Sequence, residues 1–465
     1  MSERALPVLD LQAPADAGAC CGACASAEAA SLAADAASLP VSALAAALPL
    51  VVPRHRIDRD ADRRVTFGGL GLAGGFLGLA VLGLAHLVVG RTGLWVPLHL
   101  AMAGGASTAI AAVMPFFTAA LAGAPPLAAR WRGLAIGCVA GGALVVSVAV
   151  PAGWTGLALA AGSTYVAGIG LVALVAVWPL RAALGVRRPL VEIAYVAALV
   201  QVTIGATIAL ALVAGIPAVA ANWAMLKPAH AWLNVFGFLA VVIAASLFHL
   251  APTVAGGRIK PRRSAVTAIA GLLAGPPLVA AGLVLAADPV VRVGAAVELA
   301  GAVALVTHAA VVRRDGGMWT TDPGWHRFTG WSLVAAPAWL LAAVAIAAGR
   351  LLWLGADPAA WSVALIAAPL ALGFVVQVVI GSWTHLVPAI GPGDMAVHAR
   401  QRVVLGRMAA ARVVALNLGV GLAALGAIGG EPLLIGFGLA LIVPSVAGAL
   451  VLLAWSAGMG RRVRP

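Results

Sequence analysis

The stretch KPAHAWLNVFGFLAVVIAASLFHLAPTV, residues 227–254, decides the fold that we predict for this chain. It is predominantly apolar over more than the roughly 20 residues that a helix needs to cross a bilayer. It nevertheless carries His230 near one end and His249 near the other. Because ionisable groups inside a membrane span are costly, the stretch predicts a membrane-spanning helix whose histidines have a function.

Parts of this stretch recur elsewhere in the chain. The segment GFLAVVIAASLFHLAP, residues 237–252, aligns with GFVVQVVIGSWTHLVP, residues 373–388. The segment LHLAMAGG, residues 98–105, resembles the first half, because in both a histidine precedes a glycine by six or seven positions. Three related helices predict an internally repeated protein, with three four-helix repeats around a pseudo-threefold axis.

The composition predicts an all-α, polytopic membrane protein. The chain is 63% hydrophobic and 10% charged, with a mean hydropathy of +1.05, which is far more apolar than a soluble domain. The hydrophobic pattern predicts about twelve transmembrane helices. Their approximate ranges are 67–90, 94–122, 131–150, 154–180, 188–215, 226–254, 265–287, 290–312, 327–349, 359–389, 404–428 and 432–457.

The first 65 residues have a different composition, rich in Ala, Ser and Asp, and predict a largely disordered cytoplasmic tail before a transmembrane domain at 66–460. The tail contains Cys20, Cys21 and Cys24. A CxxC motif with a third thiol can bind Cu(I) or zinc or change its redox state. A passive tail is the alternative, because a single CxxC without a second pair has little specificity.

The basic residues predict the orientation of the helices. Of the 29 Lys and Arg residues, four lie on one side of the predicted spans, namely Arg91, Lys227, Arg292 and Arg350, which leaves 25 for the other side. This asymmetry predicts that both termini are cytoplasmic in a bacterial-type cytoplasmic membrane. The net charge of +13 is therefore explained by topology, and no nucleic-acid partner is required.

Three histidines lie at a similar depth near the outer surface. His86 closes the first predicted span, His99 opens the second and His230 opens the sixth. Imidazole is a common axial ligand of haem, and three converging imidazoles can hold copper. The shared depth of His99 and His230 on related helices favours a cofactor site, with His86 as a further candidate. An interfacial position without a ligand is the alternative for each of them.

Three other histidines lie near the cytoplasmic surface, namely His249 at the end of span six, His308 at the end of span eight and His385 at the end of span ten. They are candidate metal ligands. The motifs His249-Leu-Ala-Pro and His385-Leu-Val-Pro have an equally acceptable structural explanation, in which proline ends a helix and histidine caps its last carbonyl groups. His326 and His398 are expected to be ordinary polar residues at span entrances.

Glu298 lies deep in the predicted eighth span. An intramembrane carboxylate is by default part of a proton or ion path, although pairing with Arg292 six residues earlier is an alternative. The sequence contains no Walker A motif, no dinucleotide fingerprint and no catalytic-triad pattern, so ATP-driven transport and dehydrogenase chemistry are unsupported.

The chain resembles the haem–copper oxidase subunit I superfamily in its segments HAWLNVFGF…FHLAP and LHLAMAGG, its twelve predicted spans and its predicted cytoplasmic termini. Within that superfamily it resembles the nitric-oxide-reductase-like, cbb3-like and NnrS-type membrane proteins. The resemblance implies that His99 would ligate a low-spin haem and His230 a copper or other non-haem metal. However, the seventh span contains no histidine, and the tenth lacks the outer pair that ligates both haems in that superfamily. A complete oxygen- or nitric-oxide-reducing centre is therefore not expected. One haem, with His86 or His230 as the second axial ligand, is the most that the resemblance supports.

The sequence thus predicts a membrane protein that binds b-type haem, with copper as a further candidate cofactor. It would act with a redox partner in electron transfer or in the handling of nitric oxide or metals. A secondary transporter is the first alternative, and interrupted helices at the midplane would favour it. A cofactor-free sensor or assembly subunit is the second.

Overall fold

The computed structural model describes residues 59–88, 93–182, 189–260, 262–316 and 323–461. These residues form twelve helices that are long and apolar enough to cross a membrane, and they contain no β-strand. Spans 1 to 12 are Ala61–Leu87, Trp95–Ala122, Ala129–Ala149, Thr155–Arg181, Pro189–Val213, Trp223–Val254, Arg263–Val284, Asp288–Asp315, Gly324–Leu354, Pro358–Ile390, Ala409–Gly429 and Pro432–Gly460. The all-α, twelve-span architecture predicted from the sequence is confirmed.

Two boundaries differ from the predicted ones. The first helix begins at Arg59 rather than near residue 67. Its polar first turns are held by Arg132 of span 3, whose guanidinium donates to Asp62 Oδ1 at 2.8 Å and to Thr66 Oγ1 at 2.6 Å. The Arg132 side chain is 1% exposed, so this ion pair fixes polar residues that hydropathy alone assigns to a loop.

The second difference concerns span 11, which was predicted to begin at residue 404. The chain instead forms a separate helix, Met395–Leu405, and turns at Met408, whose φ is +50°, before span 11 begins at Ala409. The Asp394 carboxylate caps the separate helix by accepting from the backbone N–H of Val397 at 2.8 Å.

Spans 2, 6 and 10 form the centre of the bundle. In their most apolar windows 67%, 78% and 61% of the residues are buried, against 33–56% in the other nine spans. Each central span contains a π-helical segment, at Leu100–Ala106, Val235–Ala240 and Ala368–Val376 respectively. The π segment of span 2 contacts the π segments of both other spans. Single π turns are uncommon and often mark functional sites, so the centre of the bundle is where a site is expected.

The three π segments share one packing arrangement. Each contains a glycine against which a side chain of the preceding span lies so closely that a Cβ atom would overlap it. The pairs are Gly104 with Phe76 of span 1, Gly237 with Gln201 of span 5, and Gly373 with Trp339 of span 9. The same arrangement therefore recurs at intervals of four spans.

Gln201, which packs against the π segment of span 6, also satisfies a backbone carbonyl group of span 7. Pro277 inside span 7 has no N–H, so the carbonyl of Leu273 four residues earlier loses its helical donor. Gln201 Nε2 donates to this Leu273 oxygen at 3.2 Å. Gln201 therefore links the π segment of span 6 to the proline-containing part of span 7.

Candidate functional site

His99 lies in the first turns of span 2, directly before the π segment. Its Nδ1 is 2.8 Å from the carbonyl oxygen of Trp95, one helical turn earlier, and its ring stacks on the Trp95 indole at a centroid distance of 3.8 Å. A carbonyl oxygen can only accept a hydrogen bond, so Nδ1 is the nitrogen that carries the proton. The Nε2 lone pair is consequently available to a ligand.

His230 in span 6 is held by the same kind of contact. Its Nδ1 is 2.7 Å from the carbonyl oxygen of Gly205 in span 5 and 3.0 Å from the Asn234 amide nitrogen. Because a carbonyl oxygen can only accept, the shorter contact favours the proton on Nδ1, which leaves the Nε2 lone pair available. The Asn234 amide, one turn later, donates to the backbone oxygen of His230 at 2.6 Å. A Cβ atom on Gly205 would overlap the Asn234 amide, so glycine at position 205 is what allows this arrangement.

His99 and His230 lie on spans 2 and 6, whose π segments contact each other, and both side chains are half-buried. Metal-ligating histidines usually donate their second ring nitrogen to a carbonyl or carboxylate, which fixes the tautomer and the ring orientation. Both side chains meet this condition. His86, by contrast, lies on an exposed face of span 1.

The histidines near the opposite end of the spans have different neighbours. His308 Nδ1 lies 3.2 Å from Ser264 Oγ, and the His308 ring meets the Phe248 ring edge-on with the centroids 4.6 Å apart. His249, which follows Phe248 in the sequence, is also buried. His385 instead lies beside Trp325 and His326, with ring centroids 5.9 and 6.3 Å away. Across the described ranges, no three His, Cys, Asp or Glu side chains are grouped closely enough to hold a metal ion.

The candidate thiol site lies outside this part of the chain. Cys20, Cys21 and Cys24 are not among the described residues, so the prediction of metal binding there stays a prediction. Cys138, in span 3, is a free cysteine and is half-buried, as expected for a small packed residue.

Glu298 of span 8 is completely buried. Its Oε2 accepts a hydrogen bond from the Trp232 indole nitrogen at 2.6 Å, while Oε1 has no partner among the described residues. Trp232 lies two residues after His230 and packs against Trp361 of span 10 at 5.6 Å. The alternative of a pair with Arg292 is not formed, because Arg292 contacts Asp288 at 3.6 Å instead.

Several residues of the site were missed from the sequence. The supports of the two imidazoles, Trp95, Gly205 and Asn234, did not stand out, although an aromatic residue four positions before His99 and an amide four positions after His230 share a helix face with them. The role of Gly205 has no local signal, because it depends on which span packs beside span 6.

The donor chemistry at this site fits some groups better than others. Two imidazoles with available Nε2 atoms match the two axial positions of a b-type haem. A copper site of three imidazoles requires a third nitrogen ligand, and the described residues do not gather one there. The residues present therefore fit a bis-imidazole haem better than a three-histidine copper.

Comparisons with known proteins agree with the architecture. No protein-family model matches the chain, and a search of curated proteins also found no match. Among solved structures, the chain is similar to a haem–copper terminal oxidase determined as a dimer by cryo-EM, with a TM-score of 0.57, 12% sequence identity, and coverage of 88% of this chain and 84% of that chain. At this identity the likeness concerns the fold alone. The chain therefore has a fold like that of haem–copper oxidase subunit I.

Proposed function

We propose that this protein is an oxidase-like membrane protein that binds one b-type haem between His99 and His230 and acts in electron transfer or in the handling of nitric oxide or metals. One observation carries the proposal. Each imidazole is held by an Nδ1–H to carbonyl hydrogen bond on a separate central span, and the π segments of these two spans contact each other.

The surroundings of the two imidazoles suit this function. The Trp95 ring stacked on His99 and the Gly205 carbonyl that accepts from His230 limit the rotation of both rings before any ligand binds. Such prior orientation is typical of well-supported ligand sites. A bound haem would supply a one-electron redox couple, and the low polarity of spans 2, 6 and 10 would tune its potential.

Glu298 is the candidate proton-handling group of this proposal. It has no cationic partner in the described ranges, and one oxygen already accepts from the Trp232 indole N–H. Burying an ionised carboxylate without a cation is very costly, whereas the neutral acid can retain the indole hydrogen bond. Because Trp232 and His230 are two residues apart on span 6, a change of charge at the imidazoles would be felt at Glu298.

The same proposal includes an internal repeat and an orientation. The π segments of spans 2, 6 and 10, each with a glycine filled from the preceding span, support three four-helix repeats. The distribution of basic residues supports a cytoplasmic membrane location with both termini in the cytoplasm, and electron transfer would require a redox partner protein. Neither copper nor a nitrogen-oxide substrate is needed for the two-imidazole site.

The proposal is tested by pyridine haemochrome spectra and metal analysis on purified wild-type protein and on His99→Ala, His230→Ala and His86→Ala. We expect haem in the wild type, a loss of most of it in each of the first two variants, and no change in His86→Ala, whose ring lies on an exposed face. Size-exclusion profiles identify variants that fail to fold. A colourless wild type, or equal haem loss in all three variants, would contradict the proposal.

A further inference from the structure

A second group of ring and basic side chains lies at the end of the bundle where spans 9 and 11 begin. Trp325 and His326 of span 9 have ring centroids 5.3 Å apart, and His385 of span 10 stacks on Trp325 at 5.9 Å. The Arg402 guanidinium of the helix Met395–Leu405 lies 5.3 Å from the centre of the Trp325 ring. We refer to these four residues as the Trp325 cluster.

The Trp325 cluster contains the guanidinium of Arg402, which forms no ion pair among the described residues. Arg402 interacts electrostatically with His385. The Nε atom of Arg402 and the Nδ1 atom of His385 are buried, and neither has a hydrogen-bond partner in the part of the chain that the structure describes. Buried polar atoms of this kind normally have partners.

Other arginines at the same end show how such groups are usually satisfied. Arg412 donates to the backbone oxygens of Leu405 and Arg407, at 2.6 and 3.1 Å. Arg262 pairs with the carboxylate of Asp315. Among the described residues Arg402 has neither kind of partner, so its buried Nε–H can donate to a group from outside this part of the chain.

The chemistry of the cluster selects an anion rather than a metal cation. The imidazoles of His326 and His385, with ring centroids 6.3 Å apart, are of a type that binds metals. However, the adjacent Arg402 guanidinium repels a cation, and His326 Nε2 is already 2.7 Å from the carbonyl oxygen of Val254. An arginine fork beside an imidazole N–H is suited to phosphate oxygens, which accept several charge-assisted hydrogen bonds.

We propose that the Trp325 cluster binds a phosphate-type oxyanion, with Arg402 and the Nδ1–H of His385 as donors and His326 as a neighbouring ring. Two sources have this chemistry, namely the headgroup of an anionic phospholipid and a soluble phosphate. Basic pockets between membrane helices are known binding sites for such headgroups, and a tryptophan at the start of a span is typical of the membrane interface.

The experiment compares Arg402→Gln with the matched control Arg400→Gln in neutral detergent. Both changes remove one positive charge from the same helix, but Arg400 is exposed, and its one hydrogen bond to a described residue is to the Ala396 backbone oxygen of its own helix. Thermal unfolding and native mass spectrometry are followed with phosphatidylglycerol, phosphatidylcholine, and inorganic phosphate against chloride at equal ionic strength. Stabilisation by phosphatidylglycerol alone identifies a lipid headgroup, and stabilisation by inorganic phosphate identifies a soluble anion.

We expect Arg402→Gln to bind the effective anion about tenfold more weakly than Arg400→Gln, because a charge-assisted donor is lost. His385→Ala should weaken binding as well, and it serves as the second variant if Arg402→Gln does not fold. Equal affinities in Arg402→Gln and Arg400→Gln, or no response of the wild type to any anion, would overturn the proposal. Zinc or copper binding that is lost in His385→Ala but retained in Arg402→Gln would also overturn it, in favour of a metal site.

Discussion

The replacement Gly205→Ala tests how closely the packing of span 5 and the orientation of His230 depend on each other. The carbonyl of Gly205 accepts from His230 Nδ1 at 2.7 Å, and the missing side chain leaves room for Asn234. A methyl group at this position would overlap the Asn234 amide nitrogen and would lie 3.0 Å from Asn234 Cγ and 3.1 Å from Leu233 Cβ. Leu233 Cβ is fixed by the backbone, and the Asn234 amide is held by its hydrogen bond to the His230 backbone oxygen, so neither group can move away freely.

The expected change in the free energy of unfolding is the sum of three contributions. Overpacking of a buried contact costs about 1–3 kcal/mol. Displacement of Asn234 removes its hydrogen bond to the His230 backbone oxygen, which contributes about 1 kcal/mol. The higher helix propensity of alanine returns about 1 kcal/mol. We therefore expect Gly205→Ala to lower the free energy of unfolding by about 1–3 kcal/mol.

The assay is reversible unfolding in mixed detergent micelles, followed by circular dichroism. Gly170→Ala is the matched control, because Gly170 also lies inside a span and a Cβ atom there would have nothing within 4 Å. Both variants gain the same helix propensity, so the difference between them isolates the contact with Asn234. Gly170→Ala should be neutral or stabilising by up to about 1 kcal/mol.

A double-mutant cycle sharpens the result. Asn234→Ala removes the side chain that the new methyl group would meet, so Gly205→Ala/Asn234→Ala should be less destabilised than the sum of the single changes by about 1 kcal/mol. If Gly205→Ala unfolds like Gly170→Ala, or if the two changes at positions 205 and 234 are simply additive, the described contact between spans 5 and 6 is refuted.

Two further stability predictions concern buried polar groups. Trp232→Phe should lower the free energy of unfolding by about 1–3 kcal/mol, because Glu298 loses its one hydrogen bond from the described residues. The same change should lower it less in a Glu298→Leu background, and an equal effect there would contradict the contact. Arg132→Gln should cost about 3 kcal/mol in the same unfolding assay, since it leaves Asp62 without its buried guanidinium partner, whereas the exposed Arg130→Gln should have almost no effect. Equal effects of the two arginine changes would show that the ion pair contributes nothing.

Span 7 bears on the expectation that this chain lacks a complete oxidase-type centre. The resemblance implies a pair of metal-binding histidines in this span, which instead contains Pro276 and Pro277 and packs closely on span 8 at Gly275. Span 8 contributes the carboxyl of Glu298, which accepts a hydrogen bond from Trp232. The absence of a further metal beside the two proposed imidazole ligands stays a prediction.

The sequence by itself determined the class of fold. Twelve apolar segments of sufficient length require helices, because in lipid every backbone N–H and C=O must be satisfied within its own segment. It also singled out His99 and His230, since their depth can be counted from the ends of their spans. Both results depend on local composition and spacing, which a single chain contains in full.

Only the tertiary structure decided how those histidines are held and which others join them. The acceptor of His230 is a backbone oxygen of Gly205, 25 positions away, and that of His326 is the oxygen of Val254, 72 positions away. Every residue carries such an oxygen, so no side-chain pattern distinguishes these two. The contacts of His385 and Arg402 with Trp325, and that of His308 with Phe248, depend likewise on which spans are neighbours. Lateral packing of apolar helices is governed by shape complementarity at sites such as Gly104, Gly237 and Gly373. The hydropathy of a segment does not depend on shape, so it does not predict which helices are neighbours.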